Sequence, residues 1–354
     1  MRASPIIVCC LGIFLATSAC AEESLRIYHF GNSLTGSSMP GWHPDLGKSA
    51  GKTWQNHAWL GAGWQLWQHR EQIGAGRDLF SAESKGDLTL DANLIQSANE
   101  HVKAFHNEKW DAIVLQLFAP YLTQVTETMW GKKLSGEKDT GDLKSAADLI
   151  ALQLQHNSDS RVFIYQVWPP MDPGEPRDGQ RGAEFPRREQ FDFARRWLQP
   201  YDPIASPTTR VGLAWRSRDF SEQVFAGLKE KYPELWNQNR LRMIPAGDLF
   251  FELDKQFLAN AAPGIADIRD FYTDVQHIRA GLPRYSVAAL MFASMFGESP
   301  ATLDWKLYND AAKYGPDPYH DSGELLEINE ARAKLVHGAI DGLLAKHQDA
   351  RFRP

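Results

Sequence analysis

Five short apolar runs are spaced along the chain, and each is typical of a strand buried inside a sheet. They cover residues 25–30, 53–60, 112–118, 162–168 and 241–245. The third and fourth runs are almost continuously apolar, as expected of parallel strands that helices cover on both faces. The segments between the runs carry their apolar residues at helical spacing instead.

Four segments have the periodicity of helices that bury one face. Residues 92–105 and 143–154 lie between predicted strands. The segment 282–296 has Pro283 near its start and Gly297 just past its end, which are common boundary residues. A further helix is predicted by the apolar positions Leu325, Ile328, Leu335, Ala339, Ile340, Leu343 and Leu344. Strands alternating with helices predict a three-layer α/β/α, flavodoxin-like, doubly wound sheet of about five parallel strands.

Three loops, at residues 131–142, 169–186 and 201–209, are long or rich in glycine and proline. The second of these loops follows the fourth predicted strand. Ligands of such sheets bind outside the carboxyl ends of the strands, so this loop is expected to overhang a binding site.

Residues 1–21 have the pattern of an export signal. Arg2 precedes an apolar run at 6–15, and Ala19-Cys20-Ala21 fits a cleavage site. The run is too short to span a bilayer comfortably, so we expect its removal and a periplasmic or extracellular protein without a stable membrane span. Because Thr17-Ser18-Ala19 before Cys20 is an imperfect lipobox, lipid anchoring through Cys20 is an alternative.

Composition excludes several classes of function. All three cysteines lie in the leader, so cysteine catalysis, zinc–thiolate sites and iron–sulfur clusters are excluded for the cleaved chain. The formal net charge is −6, and it becomes −7 without the leader, which holds one base and no acid. No basic run suggests a nucleic-acid partner. No three metal ligands converge in the sequence, so neither metal nor cofactor is expected, and the oligomeric state is left open.

The first predicted strand ends in a sequence that is typical of a serine presented on a sharp turn. In Phe30-Gly31-Asn32-Ser33-Leu34-Thr35, glycine breaks the strand and a helix can begin after Asn32. Such a turn exposes the hydroxyl and places backbone N–H groups beside it. Serine is a weak nucleophile without a base, so Ser33 needs a partner elsewhere.

A partner is found late in the chain, where Asp274 and His277 are three residues apart. This spacing lets the carboxylate hold one imidazole nitrogen while the other accepts the serine proton. An isolated Asp-x-x-His is a weak signal, but this one lies in a loop directly before the predicted helix 282–296. Together the three residues predict a catalytic triad.

Acyl transfer also needs hydrogen-bond donors for the oxyanion. The Ser33 N–H is one candidate. The second run leads into Gly61-Ala62-Gly63, where glycine lets the backbone approach a ligand, and Gln116 lies near the carboxyl end of the third run. A glutamine in an apolar strand needs hydrogen-bond partners. We predict an oxyanion hole of Ser33, Gly63 and Gln116. The alternatives are that the glycines only form a turn and that Gln116 has a structural role.

These residues resemble the SGNH hydrolases, or GDSL-like esterase superfamily, whose four blocks supply Ser, Gly, Asn and His. Gly31-Asn32-Ser33-Leu34 matches the first block, with asparagine where the family usually carries aspartate. Gly63 (or Gly61) falls at the second-block glycine, and Asp274-x-x-His277 matches the final block closely. The third-block Gly-x-Asn-Asp is absent and Gln116 takes its place, as in similar exported bacterial members.

The resemblance covers about residues 25–297 and implies two-step ester hydrolysis. In that mechanism Ser33 attacks the acyl carbonyl, His277 accepts and returns the proton, and Asp274 orients the imidazole. We therefore expect residues 22–300 to form the catalytic domain. Residues 301–354 would form a helical extension packed on it.

Aromatic residues suggest the substrate. The chain has 12 tryptophans, most of which are expected in the core. Trp64, directly after Gly63, is a candidate for stacking on a sugar ring, and Asn32 and Trp168 complete the predicted substrate-binding set. The prediction is an exported esterase that removes acetyl or similar groups from a glycan. The alternatives are a carbohydrate-binding protein with a degenerate site and a lipid or thioester hydrolase with an apolar groove.

Overall fold

The structure is a computed structural model that describes residues 23–61, 63–75, 92–118, 141–171, 192–201, 216–274, 276–310 and 325–350. At its centre is one parallel sheet of β1 (Ser24–Gly31), β2 (Thr53–Leu60), β3 (Ala112–Gln116), β4 (Arg161–Gln166) and β5 (Leu241–Pro245). The order β2-β1-β3-β4-β5 is that of flavodoxin-like sheets. The predicted fold class is confirmed, and the predicted strands differ from the observed ones by at most two residues at an end.

Helices cover both faces of the sheet, and a short helix, α1 (Ser33–Gly36), follows β1 directly. One layer contains α2 (His43–Ser49), α6 (Phe193–Trp197), α9 (Ala246–Leu258), α10 (Leu282–Phe296) and α11 (Glu330–Lys346). The other contains α3 (Leu66–Ala75), α4 (Ala92–Asn107), α5 (Asp142–His156), α7 (Arg218–Lys231) and α8 (Pro233–Asn237). In the part of the chain that the structure describes, no helix combines the length and apolarity needed to cross a membrane.

The strongest helix prediction is reproduced at both ends. Helix α10 begins at Leu282, with Pro283 in its first turn, and ends before Gly297, which has a φ of 72°. Proline has no N–H to leave unsatisfied in a first turn, and glycine adopts the left-handed conformation of a C-cap without strain. Every residue of α10 is buried, which places this helix at the centre of its layer.

The C-terminal helix begins later than its apolar pattern predicts, so the assignment of Leu325 and Ile328 to it is wrong. Helix α11 starts after Asn329, whose side chain caps the first turn. Leu326 instead forms a parallel bridge with Gly281, in the loop before α10. Backbone groups committed to that bridge cannot also make helical hydrogen bonds.

The segment 325–350 is thereby tied to the rest of the sheet domain. Gly281 has a φ of 83°, and an added Cβ would lie 2.2 Å from the Leu326 carbonyl oxygen, so glycine is required there. Near the end of α11, the Asp349 carbonyl accepts the Met243 N–H at 2.7 Å along the outer edge of β5. The described C-terminal residues therefore occupy one backbone donor on the outer edge of β5.

Several predictions fall on residues that lie outside the described part of the chain. They concern the leader at 1–21 with its cysteines, Ala62, and most of the three predicted loops.

Candidate active site

The predicted nucleophile lies at the carboxyl end of β1, where α1 begins. Asn32 is the N-cap, with an extended backbone, and its Oδ1 accepts the Leu34 N–H at 3.0 Å. Gly31 has no room for a side chain, because an added Cβ would lie 2.1 Å from Thr35 Oγ1. The turn is therefore the sharp strand-to-helix connection that the sequence predicts, with Ser33 as its first helical residue.

The three residues of the predicted triad lie together. Ser33 Oγ is 2.9 Å from His277 Nε2, although the two residues are 244 positions apart in the chain. His277 Nδ1 is 2.6 Å from Asp274 Oδ2. A carboxylate can only accept, so Nδ1 carries the proton and Nε2 presents a lone pair to the Ser33 hydroxyl. This is the geometry that a general base requires.

The Asp274 carboxylate is held in its ionised form. Its Oδ1 accepts the backbone N–H groups of Gln276 and His277, both at 2.8 Å. Burial raises the pKa of Asp274, but the hydrogen bond and charge of His277, with these two backbone bonds, outweigh it and lower the pKa to about 2. Asp274 therefore stays ionised over the neutral and mildly acidic range and can accept a hydrogen bond from His277 Nδ1 throughout it.

The loop that carries the aspartate and histidine is held against the end of β4. Tyr272 and Ile278 form an antiparallel bridge across its base, and Trp168 Nε1 donates to the Gln276 carbonyl at 2.8 Å. Trp168 has no exposed surface and stacks on Phe250, with ring centroids 4.9 Å apart. The prediction that Trp168 contacts substrate is wrong, since its ring is in the core and its N–H positions the loop.

Gln116 stabilises the turn at residues 31–35 that carries Ser33, the nucleophile turn. Its Oε1 accepts the Asn32 N–H and the Thr35 N–H, both at 3.0 Å, and the Thr35 hydroxyl at 2.6 Å. Its Nε2 donates to Asn32 Oδ1 at 2.8 Å, and the side chain is 1% exposed. Two backbone donors identify Oε1 as the acceptor and so settle the amide orientation. The predicted oxyanion role of Gln116 is therefore corrected to the structural alternative, because the side chain is committed to the turn.

Asn32 was also predicted to bind substrate, and this is wrong for the same reason. Its side chain is fully buried, and Nδ2 donates to the Trp64 carbonyl at 2.9 Å. Asn32 therefore links the nucleophile turn to the segment that follows β2.

The hydrogen bonds of the turn leave one N–H group unoccupied. Side-chain oxygens accept from the N–H groups of Asn32, Leu34 and Thr35. No acceptor for the Ser33 N–H exists among the described residues. This donor lies at the start of a helix, beside the hydroxyl that would form the bond to an acyl carbon. It is suited to the oxyanion role that the sequence predicts.

The two glycines after β2 have different roles. The Gly61 N–H donates to the Gly31 carbonyl at 3.1 Å, and a Cβ at Gly61 would lie 2.1 Å from the Trp64 ring. Gly63 has a φ of 65°, and its N–H has no acceptor within the described ranges. Of the two glycines that matched the sequence motif, Gly63 is thus the one that retains a donor.

Trp64 and His69 complete the described surroundings. Trp64 is partly exposed, and its ring packs on Trp59 and His69, with centroids 5.5 Å and 5.1 Å away. His69 is buried and its Nε2 donates to the Gly31 carbonyl at 2.9 Å. Sequence reasoning missed this residue, because a single histidine in a helix carries no signal of what it will contact. Substrate binding by Trp64 stays a prediction.

Replacing Gln116 by methionine is expected to lower the free energy of unfolding by about 3–5 kcal/mol, because buried donors of the turn lose their acceptor. Urea denaturation followed by circular dichroism measures this. Gln116→Glu is the matched comparison, since its protonated carboxyl can accept and donate like the amide, so this variant should regain stability as the pH falls. A Gln116→Met variant with normal stability and only a lowered kcat would instead support the oxyanion role.

The described residues contain no group of three or more histidine, cysteine, aspartate or glutamate side chains arranged to hold a metal ion.

Comparison with known proteins adds information on the fold. No family model matches the chain, and no curated protein matches it. The crystal structure of a DUF4886 family protein from Bacteroides uniformis ATCC 8492 matches 93% of this chain and 98% of that chain, with a TM-score of 0.50 and 15% identity. At this identity the likeness concerns the fold alone. A possible lipase from Chitinophaga pinensis DSM 2588 matches 42% of this chain and 51% of that chain, at 13% identity. Its TM-score of 0.21 is too low to support an argument about function.

Proposed function

We propose that this protein is a serine esterase that removes acetyl or similar acyl groups from carbohydrates outside the cytoplasm. The observation that carries the proposal is the continuous chain of hydrogen bonds from Ser33 Oγ through both ring nitrogens of His277 to Asp274. A hydroxyl, an imidazole and an ionised carboxylate in this order make serine a nucleophile at neutral pH.

The reaction proceeds in two steps. Ser33 Oγ attacks the acyl carbon while His277 Nε2 takes its proton, and the N–H groups of Ser33 and Gly63 hold the oxyanion. The bond from carbon to the alcohol oxygen then breaks, and His277 returns the proton to the departing alcohol. A water molecule next attacks the acyl-serine, with His277 again accepting the proton. The bond from the acyl carbon to Ser33 Oγ then breaks, His277 returns the proton to Oγ, and release of the carboxylic acid restores Ser33.

A carbohydrate substrate is favoured by the partly exposed Trp64, which follows Gly63 directly and offers an aromatic ring for stacking on a sugar. Export is proposed from the pattern of residues 1–21, with cleavage after Ala21. Within this proposal residues 22–300 form the catalytic domain and residues 301–354 the extension packed on it.

Two alternative functions, carbohydrate binding without catalysis and lipid or thioester hydrolysis, can each be distinguished from the proposed one by a single measurement. A carbohydrate-binding protein with a degenerate site would have no use for an intact serine–imidazole hydrogen bond at 2.9 Å, and it would turn over no ester. A lipid or thioester hydrolase would use the same triad but would prefer long acyl chains, as the acyl-chain dependence of kcat/KM would show.

Covalent labelling tests the proposal. A fluorophosphonate reagent should attach once per chain, and mass spectrometry of the digested protein should locate it on Ser33. In the same preparation, acetate should be released from an acetylated oligosaccharide faster than palmitate from an aryl palmitate. Label on another residue, or absence of label and of acetate release, would contradict the proposal.

A further inference from the structure

Two histidines meet at the end of the sheet that lies opposite Ser33. His106 is in the last turn of α4, and His156 is the last residue of α5. His106 Nδ1 is 3.1 Å from His156 Nε2. Helices α4 and α5 lead directly into β3 and β4, so the pair lies at the amino ends of the strands, whereas Ser33 follows the carboxyl end of β1.

The orientation of His106 is set by a backbone carbonyl. Its Nε2 is 2.9 Å from the Ile73 carbonyl oxygen, which can only accept, so Nε2 carries the proton. Nδ1 therefore presents a lone pair toward His156. Histidines that bind metal ions commonly donate their second ring N–H to a carbonyl or carboxylate, which fixes the tautomer and the orientation of the ring. His106 already has this arrangement.

The local electrostatics favour a cation. Ile73 is in the last turn of α3, so three helices place their C-terminal ends at this point. The C-terminal end of a helix carries partial negative charge from its free carbonyl groups.

The separation of the two nitrogens suits coordination by a single ion. Two nitrogens at about 2.0–2.1 Å from a tetrahedral Zn²⁺ ion are about 3.3–3.4 Å apart, so the separation of the two nitrogens needs to increase by only about 0.3 Å while the rings turn toward the ion. His156 is exposed, so water can supply the remaining ligands.

A second histidine pair provides a contrast. His57 Nε2 and His101 Nδ1 are 2.8 Å apart, but neither imidazole ring is hydrogen-bonded to a carbonyl in the described residues. The His101 ring also stacks on Trp59, with centroids 5.4 Å apart, which limits access by water. Proximity of two imidazoles is therefore not sufficient for a site.

We propose that His106 and His156 bind a divalent transition-metal ion of the Zn²⁺ class and thereby link the ends of α4 and α5. The ion replaces the proton between the two nitrogens, and that proton moves to Nδ1 of His156. This site goes beyond the proposed esterase function, because it lies at the other end of the sheet and contributes nothing to the chemistry at Ser33.

Zinc binding to the full chain tests the proposal. The protein is purified without a histidine tag, its three cysteines are alkylated, and Zn²⁺ is titrated by calorimetry. We expect one ion per chain, and a dissociation constant at least about tenfold weaker in His156→Gln. His57→Gln is the matched control and should bind as the unsubstituted chain does, and circular dichroism shows that both variants are folded.

Three results would overturn the proposal. The first is absence of binding up to about 1 mM Zn²⁺, a concentration that would detect even weak complexes. The second is equal affinity in His156→Gln and the unsubstituted chain, and the third is loss of binding in His57→Gln alone. Neither readout uses ester hydrolysis, so a failure of the metal site and a failure of the esterase proposal are distinguishable.

Discussion

Replacing Ser33 by alanine should lower kcat for ester hydrolysis by about 10⁵–10⁶-fold, the effect of removing the nucleophile of a serine hydrolase. In the proposed reaction the Ser33 side chain contributes the atom that bonds to the acyl carbon, and its Oγ is 2.9 Å from His277 Nε2. KM should change little, since the substitution removes an interaction made in the transition state and not in the bound substrate.

Stability should be almost unaffected by this substitution. Ser33 Oγ is hydrogen-bonded to His277, and the bonds that hold the turn involve Gln116 and Asn32 instead. Initial rates on 4-nitrophenyl acetate and on an acetylated oligosaccharide give kcat and KM, and thermal unfolding checks the fold. Ser37→Ala, four residues later in the same segment, is the control and should retain most of the activity. A Ser33→Ala variant within tenfold of the unsubstituted rate would end the case for a Ser33 nucleophile.

Lowering the pH from 7 to 5 is expected to reduce the free energy of unfolding by about 4 kcal/mol through His29 and His69 alone. Both side chains are fully buried. Burial, only partly offset by a hydrogen bond in each case, lowers the pKa of His29 to about 4 and that of His69 to about 3.

The sign follows from proton linkage. The unfolded chain takes up protons on these histidines below about pH 6.5, but the folded protein does not do so until the pH nears the lowered values. Their contribution to stability is therefore complete above pH 6.5 and is lost as the pH falls from 6.5 toward 4. Burial also lowers the pKa of His43, which adds a loss in the same direction. The lowered pKa of Asp274 acts only below about pH 4, where that carboxylate becomes protonated in the unfolded chain.

Urea denaturation at pH 7 and pH 5 measures the effect. His69→Gln can keep the hydrogen bond to the Gly31 carbonyl through its amide, and it should reduce the pH-dependent loss by about 2 kcal/mol. His156→Gln, at an exposed position, is the control and should change the loss far less. Equal stability at pH 7 and pH 5 would show that the buried histidines are protonated in the folded state or lie in a more polar environment.

The sequence by itself determined the framework of this protein. Strands such as 112–118 and 162–168 are recognisable because both faces are buried, which makes them apolar throughout. Helix α10 is recognisable because Pro283 and Gly297 mark its ends through local backbone geometry. The residues brought together around Ser33 were also predictable, since nucleophilic chemistry requires a base and a carboxylate, and few pairs in the chain have a suitable spacing.

Only the tertiary structure decided which atoms the polar side chains contact. Gln116 and Trp168 each lie at the end of a strand, where the sequence predicts contact with substrate. Gln116 is instead hydrogen-bonded to Asn32 and Thr35. Trp168 is hydrogen-bonded to the loop that carries His277. The pairing of His106 with His156 likewise joins two helix ends that are 50 residues apart. The apolar periodicity of a helix or strand is visible in its own sequence, because burial of one face requires apolar residues at that spacing. A hydrogen bond depends on the relative positions of distant segments to within a few tenths of an ångström, and no local pattern records them.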